Sequence, residues 1–302
     1  MITIVITSYN EPKATLKAVN VFLQQNSKEK FRVIVVDPHQ EAIDFLKSHI
    51  TNKNVEFFLD PGEGKSYAIN LLIQENATGD KKDILIFTDG DVYASENALE
   101  EIKKAFDNPR IGCVTARPVS IDGRNTKYGY WANFAFEGVH RARSKLSRAG
   151  RFFECSGYLF AIRNSVIYDF PLETSEDSII PYLFWKKGYK IYYAEKVEVY
   201  VKNPSNWQDW LAQKIRNIKG HENLTKIAPD MPRTKSLKNE ILYGWYFLFI
   251  FPKNFRELWW TLQLYPARLY LYFKAFREIK KNKTYRDGWR GESVTESTKT
   301  LD

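Results

Sequence analysis

No stretch of the 302 residues offers the ~20 consecutive apolar positions that a membrane-crossing helix requires. The uncharged run "ILYGWYFLFIFP" (241–252) stops at 12 residues, and "ELWWTLQLYPARLYLYF" (257–273) is interrupted by Pro266 and Arg268. Cysteine is nearly absent. Cys113 and Cys155 are the only two, far apart and each beside apolar residues, which excludes a disulfide framework and reads as two buried free thiols in a reducing compartment. Met1 runs straight into the strand-like "ITIVIT" with no basic flank, so no secretory leader is expected and the catalytic part should face the cytosol. There is no internal repeat. The single low-complexity stretch is the polar end "GESVTESTKTLD" (291–302), expected to be disordered.

What remains suffices for a sizeable core: 44% of residues are hydrophobic and 27% charged, in a length that suits one large α/β domain plus an accessory segment, or two domains. The net charge of +9 could serve solubility, nucleic acid or an anionic membrane surface. Its distribution favours the membrane, because Lys274 to Arg290 holds seven basic residues against two acidic ones, directly after an aromatic-rich stretch. Nucleic acid is not an expected partner.

In the first half, buried-strand patterns alternate with helical spacing. "ITIVIT" (2–7), "FRVIVVD" (31–37), "NVEFFLD" (54–60), "DILIFTD" (83–89) and "IGCVTARPV" (111–119) read as strands; 11–25, 41–50, 65–75 and 96–106 read as helices. This alternation predicts a parallel sheet covered on both faces, with ligands beyond the carboxyl ends of its strands. The second half predicts helices at 130–146, 176–188 and 206–224, an extended stretch at 152–163 and a strand at 190–201.

One loop demands a decision. "DPGEGKS" (60–66) lies between a strand and a helix and imitates the Gly-Lys-Ser of an ATP-binding P-loop. That loop needs a glycine five positions before Gly64 to wrap the phosphates, and the residue there is Leu59. Pro61 also removes one backbone donor. A P-loop phosphotransferase is therefore the weaker reading, although Gly64 and Lys65 at a helix start can still serve a phosphate.

Three polar groupings carry the chemistry. "FTDGDVY" puts Asp89 and Asp91 two apart after a buried strand, where both carboxylates can face one magnesium or manganese ion completed by a diphosphate. "TSEDSII" supplies Glu176 and Asp177, of which one can take a proton from an attacking hydroxyl. Gln213 and Arg216 stand at i and i+3 on one helix face, where the arginine could meet phosphate oxygens. Alone, each has an ordinary structural explanation.

Together and in order, "SYNE", Asp37, "GKSYAIN", Asp-x-Asp, "CSGYLFAIR", Glu-Asp and Gln-x-x-Arg resemble a family 2 glycosyltransferase of the GT-A fold, over about three quarters of the chain. The resemblance implies a Rossmann-like, mostly parallel central sheet flanked by helices. It places Thr7, Tyr9, Glu11 and Lys65 around the nucleotide, Asp37 on the base, Asp89 on the donor side and Asp91 on a divalent metal shared with Asp89. It makes Asp177 the base of an inverting transfer, with Glu176 beside it. It puts Cys155, Ser156 and Gly157 along the acceptor, and Gln213 and Arg216 at the diphosphate and acceptor end. Two departures matter: Pro38 replaces a second Asp that many relatives carry, and Asn217 replaces the Trp found in polysaccharide synthases. The second favours transfer of a single sugar over processive synthesis.

The expected layout is a catalytic domain at 1–230, divided near 119 into nucleotide and acceptor halves, then an aromatic and basic helical segment at 235–290. Between Ile241 and Phe276, 14 of 36 residues are aromatic, which suits helices lying in a membrane interface. The expected activity moves one sugar from a nucleotide donor, UDP-linked, to a lipid-linked or glycan acceptor on the cytosolic face of a membrane. A processive synthase subunit and a non-catalytic sugar-nucleotide-binding protein are the other readings.

Overall fold

The computed structural model describes residues 1–172, 174–232, 247–281 and 298. The chain begins β1 (Ile2–Thr7), α1 (Pro12–Leu23), β2 (Phe31–Asp37), α2 (Gln40–His49), β3 (Val55–Leu59), α3 (Lys65–Glu75) and β4 (Ile84–Asp89). It continues with β5 (Tyr93–Ala94), α4 (Ala98–Ala105), β6 (Ile111–Ser120), α5 (Lys127–Arg148), β7 (Leu159–Arg163), α6 (Glu176–Lys186) and β8 (Lys190–Val201). Three further helices are α7 (Trp207–Ile227), the short α8 (Phe247–Ile250) and α9 (Phe255–Lys280).

The strands form one sheet in the order β3-β2-β1-β4-β7-β6-β8-β5. The first four are parallel, as are β6 and β8. β7 is antiparallel to both neighbours, and β5 is antiparallel to β8. The sheet is thus mixed but mostly parallel, with helices on both faces. Of the extended stretch expected at 152–163, Leu159–Arg163 joins the ladder as β7. Upstream, Phe152, Phe153 and Cys155 sink into the core. The Cys155 amide donates to the Asp177 carbonyl and the Ser156 amide to Thr115 Oγ1, so these donors are satisfied outside the sheet.

Period-two alternation explains the two main cores. Ile4 and Ile6 of β1 face one side, with Ala18 and Phe22 of α1 and Leu46 of α2. Val5 faces the other, with Ile69 and Leu72 of α3 and Ile180 of α6. Neither face meets water, so the central strands read as unbroken β-branched runs.

A third core joins Tyr130 and Trp131 of α5, Trp210 and Ile215 of α7, and Leu264, Leu271 and Ala275 of α9. The Trp131 indole donates to the Trp260 carbonyl at 2.8 Å, anchoring α9 on the catalytic part. Pro266, which interrupts the apolar pattern in the sequence, does not end the helix. It sits on the exposed side with Leu262, whose carbonyl loses its partner where solvent can reach it. No described helix is long and apolar enough to cross a membrane. Residues 241–246 of the uncharged run, 282–290 of the basic stretch and, apart from Thr298, the tail lie outside the described residues.

Candidate active site

Parallel pairing sets Thr7, Asp37 and Asp89 in a row at the carboxyl ends of β1, β2 and β4, because Thr7 is in register with Val36 and with Asp89. Thr7 Oγ1 lies 3.2 Å from Asp89 Oδ1. Between the two aspartates, a Cβ on Gly90 would fall 2.6 Å from Thr15 Oγ1. Only glycine lets the β4 end pass this close to α1.

Lys65 is the centre of the cluster. Its Nζ lies 2.6 Å from Asp89 Oδ1 and 3.0 Å from Glu176 Oε1, and donates to the Gly157 carbonyl at 3.3 Å. Burial alone would lower the lysine pKa, but the Asp89 and Glu176 carboxylates overturn this and hold it well above the ordinary lysine value. Gly64, at φ +110°, makes the turn that starts α3 here.

At the start of α6, the Ser175 hydroxyl donates to Asp177 Oδ1, and Ser178 Oγ lies 3.3 Å from the same oxygen. Oδ2 is directed otherwise: a Cβ on Gly157 would be 3.6 Å from it and 3.7 Å from Glu176 Oε1, so "CSGY" runs directly past both carboxylates. Arg143 holds that segment by donating to the Cys155 carbonyl at 2.6 Å.

One cavity of about 1730 Å³ joins these parts. Thr7, Tyr9, Glu11, Lys65, Asp89 and Asp91 line it, as do Ser156, Gly157, Glu176, Asp177, Gln213 and Arg216. Its size exceeds the ~300–1000 Å³ of a single-ligand pocket and leaves room for two substrates. Two expected site residues stand behind the wall instead. Asp37 is fully buried, accepting from the Asn10 and His39 amides at 2.9 and 2.8 Å and meeting the His39 ring at 3.0 Å. Cys155 is also fully buried, and its side chain lies against Cys113 rather than along the acceptor path. Both thiols are free, as expected.

Glu154 and His221 belong to none of the sequence motifs. Glu154 Oε2 accepts from Ser178 Oγ at 3.0 Å and lies 3.6 Å from His221 Nδ1, bracing α6 against α7. An acid within the apolar "FFEC" was the available signal.

Among the described residues, no three His, Cys, Asp or Glu are gathered into a ready-made metal cage. The hard oxygens of Asp89 and Asp91 still fit magnesium or manganese, ions that take one or two carboxylates and draw the rest from phosphate and water.

A strand-end acidic pair, a helix-borne Glu-Asp and an Arg-bearing helix around one two-substrate cavity accompany a match of residues 3–170 to the family model "Glycosyl transferase family 2". The chain belongs to glycosyl transferase family 2. Solved structures similar to this family member include the mannosyltransferase PcManGT from Pyrobaculum calidifontis, in complex with GDP-Man and Mn2+. It is 18% identical with a TM-score of 0.61, over 93% of this chain and 81% of that one. S. aureus TarS 1–349, in complex with UDP-GlcNAc, is 14% identical with a TM-score of 0.47, over 94% and 93% of the two chains. No curated protein matches the chain. At 18% identity the likeness to PcManGT supports the shared fold alone, and the family match makes this chain a glycosyltransferase.

Proposed function

We propose that this family 2 member is an inverting, divalent-metal-dependent transferase that moves one sugar from a nucleotide donor to a membrane-borne or glycan acceptor. The supporting observation is that Asp177, the Asp89–Asp91 pair and Gln213–Arg216 open on one cavity. The acceptor oxygen attacks the anomeric carbon and gives its proton to Asp177 Oδ2, while the bond to the diphosphate breaks. Arg216 meets the departing phosphate oxygens, and Gln213 orients them. Asp91 and Asp89 would hold the metal, which supplies positive charge to the diphosphate. Lys65 keeps Asp89 and Glu176 in register. The enzyme works at the cytosolic face, with 1–230 as its catalytic domain.

The test is calorimetric titration of nucleotide diphosphate with and without manganese. In Asp91→Ala, the manganese-dependent gain in affinity is expected to vanish, a loss of about tenfold or more. Unchanged manganese dependence would count against this metal site.

The donor base has a second reading beside the expected uridine. Asp37 already accepts three bonds, whereas neither oxygen of Asp60, only 3% exposed, has a well-formed hydrogen bond. Asp60 donates its own amide to the Asp37 carbonyl at 3.1 Å, which sets it with Asp37 behind the cavity wall. A carboxylate accepts two parallel donors, and the guanine edge offers N1–H and N2–H; uracil offers one N–H between two carbonyls. PcManGT, solved with GDP-Man, makes that donor the first alternative to try.

Burial first, then Asp37 and Glu63, raise the Asp60 pKa against the pull of the Gly62 amide. A raised carboxylate binds more protons folded than unfolded, so ligand-free stability falls as pH rises through that window. Asp60→Asn is expected to raise the melting temperature at neutral pH and to weaken GDP binding about tenfold while sparing UDP. Equal loss for both nucleotides would remove the guanine reading.

A further inference from the structure

α9 is apolar on two sides, and the catalytic part covers only one. The inner side carries Leu264, Leu271 and Ala275 into the third core. On the outer side stand Phe255, Trp259, Leu262, Leu269, Phe273 and Phe276, with Pro266 filling the remaining place. All are exposed, Phe255 at 82% and Phe273 at 65%. Their spacing of four, three, four, three, four and three residues draws one gently winding stripe along the helix, roughly 30 Å long. A continuous apolar line of that length marks an interaction surface.

Charge indicates what it meets. Lys253 and Arg256 are exposed at one end, and Arg277, Lys280 and Lys281 at the other. The two acids of the helix turn towards the protein: Glu257 pairs with Arg124 at 2.6 Å and Glu278 with Lys219 at 2.6 Å. The outer face is therefore aromatic and apolar between two cationic ends. A second copy would set like charges against each other in either orientation, whereas an anionic bilayer complements both features. Leu269 and Phe276 of the line also border the catalytic cavity, together with exposed Ile250, so part of its rim is continuous with this apolar face.

We infer that the outer face of α9 docks this chain on an anionic lipid surface, lying in the interface plane. Trp259 and the phenylalanines enter the headgroup boundary, and the terminal cations meet lipid phosphates. In that pose the apolar rim of the cavity meets the bilayer. The acceptor of the proposed transferase is then a lipid-borne molecule whose head reaches the carboxylates while its chain stays in the membrane. This last step rests on the transferase reading; the docking surface does not.

Flotation of the full chain with phosphatidylcholine vesicles, with and without phosphatidylglycerol, tests it. The wild type is expected to float with the phosphatidylglycerol vesicles. The Phe255→Ser, Trp259→Ser, Phe273→Ser triple variant should lose about tenfold or more of its partitioning. Arg256→Glu with Arg277→Glu should lose the preference for phosphatidylglycerol and its salt sensitivity. Both variants change exposed positions, so melting temperature and nucleotide affinity should match the wild type and show that the fold is intact. A wild type that stays unbound, or a triple variant that floats equally well, overturns the inference. So does light scattering that finds a dimer which the triple variant dissolves. Flotation without any nucleotide binding would sink the transferase reading and leave the surface standing; nucleotide binding without flotation would do the reverse.

Discussion

Asp177→Asn is expected to lower kcat by about 10³-fold while donor affinity stays within about twofold. The substitution keeps the size and planarity of the side chain, so the Ser175 hydroxyl retains an acceptor at the Oδ1 position. The Cys155 amide bonds the backbone carbonyl of this residue, so "CSGY" also stays in place. What disappears is the basic oxygen next to Gly157, to which the acceptor proton would go. Glu176 is a poor substitute, because its Oε1 is already ion-paired to Lys65 at 3.0 Å. Single-turnover transfer with radiolabelled donor, alongside calorimetric donor titration, separates the two quantities. Residual transfer above about a tenth of wild type would remove Asp177 from its role.

Lys65→Met should cost about 3 kcal/mol of folding stability and reduce turnover as well. Methionine fills the space but leaves Asp89 and Glu176 facing each other without the cation that both now contact. The cost belongs at the lower end for a broken buried pair, since the Asp89 side chain remains 25% exposed. The pH dependence has a definite sign. A lysine whose folded pKa is raised contributes stability that is fully present below its unfolded pKa, and lost only as pH climbs through the folded value. The gap between wild type and Lys65→Met should therefore be flat from about pH 6 to pH 9 in urea unfolding. A gap that closes within that range, or a variant as stable as the wild type, would show that the ion pairs do not bind α3, β4 and α6 together.

The same ion pairs bear on the loop "DPGEGKS". Leu59 excludes a P-loop wrap from sequence alone, and Lys65 stands at a helix start as its spacing implies. Yet the lysine's charge is directed to two carboxylates, one 24 and one 111 residues away, rather than offered openly to a phosphate.

Local pattern carried most of the fold. The buried runs that became β1 to β4, β6 and β8 stand within about two residues of where their periodicity puts them, and so do the first four helices. Strand-end polar residues were legible for the same reason, since a parallel sheet exposes only its carboxyl edge to ligand. The insertion of β7 between β4 and β6 was not legible, because strand order depends on contacts far apart in the chain. Nor was the withdrawal of Cys155 and Asp37 behind the cavity wall, which follows from partners at Cys113, Asn10 and His39. The aromatic C-terminal stretch shows the same division. Its composition is plain in sequence, but only packing separates Leu264 and Leu271, buried against α5 and α7, from Trp259 and Phe273, facing outward. Residue type and spacing act within a few turns of chain, whereas burial and ion pairing are settled by which distant elements the closed core brings together.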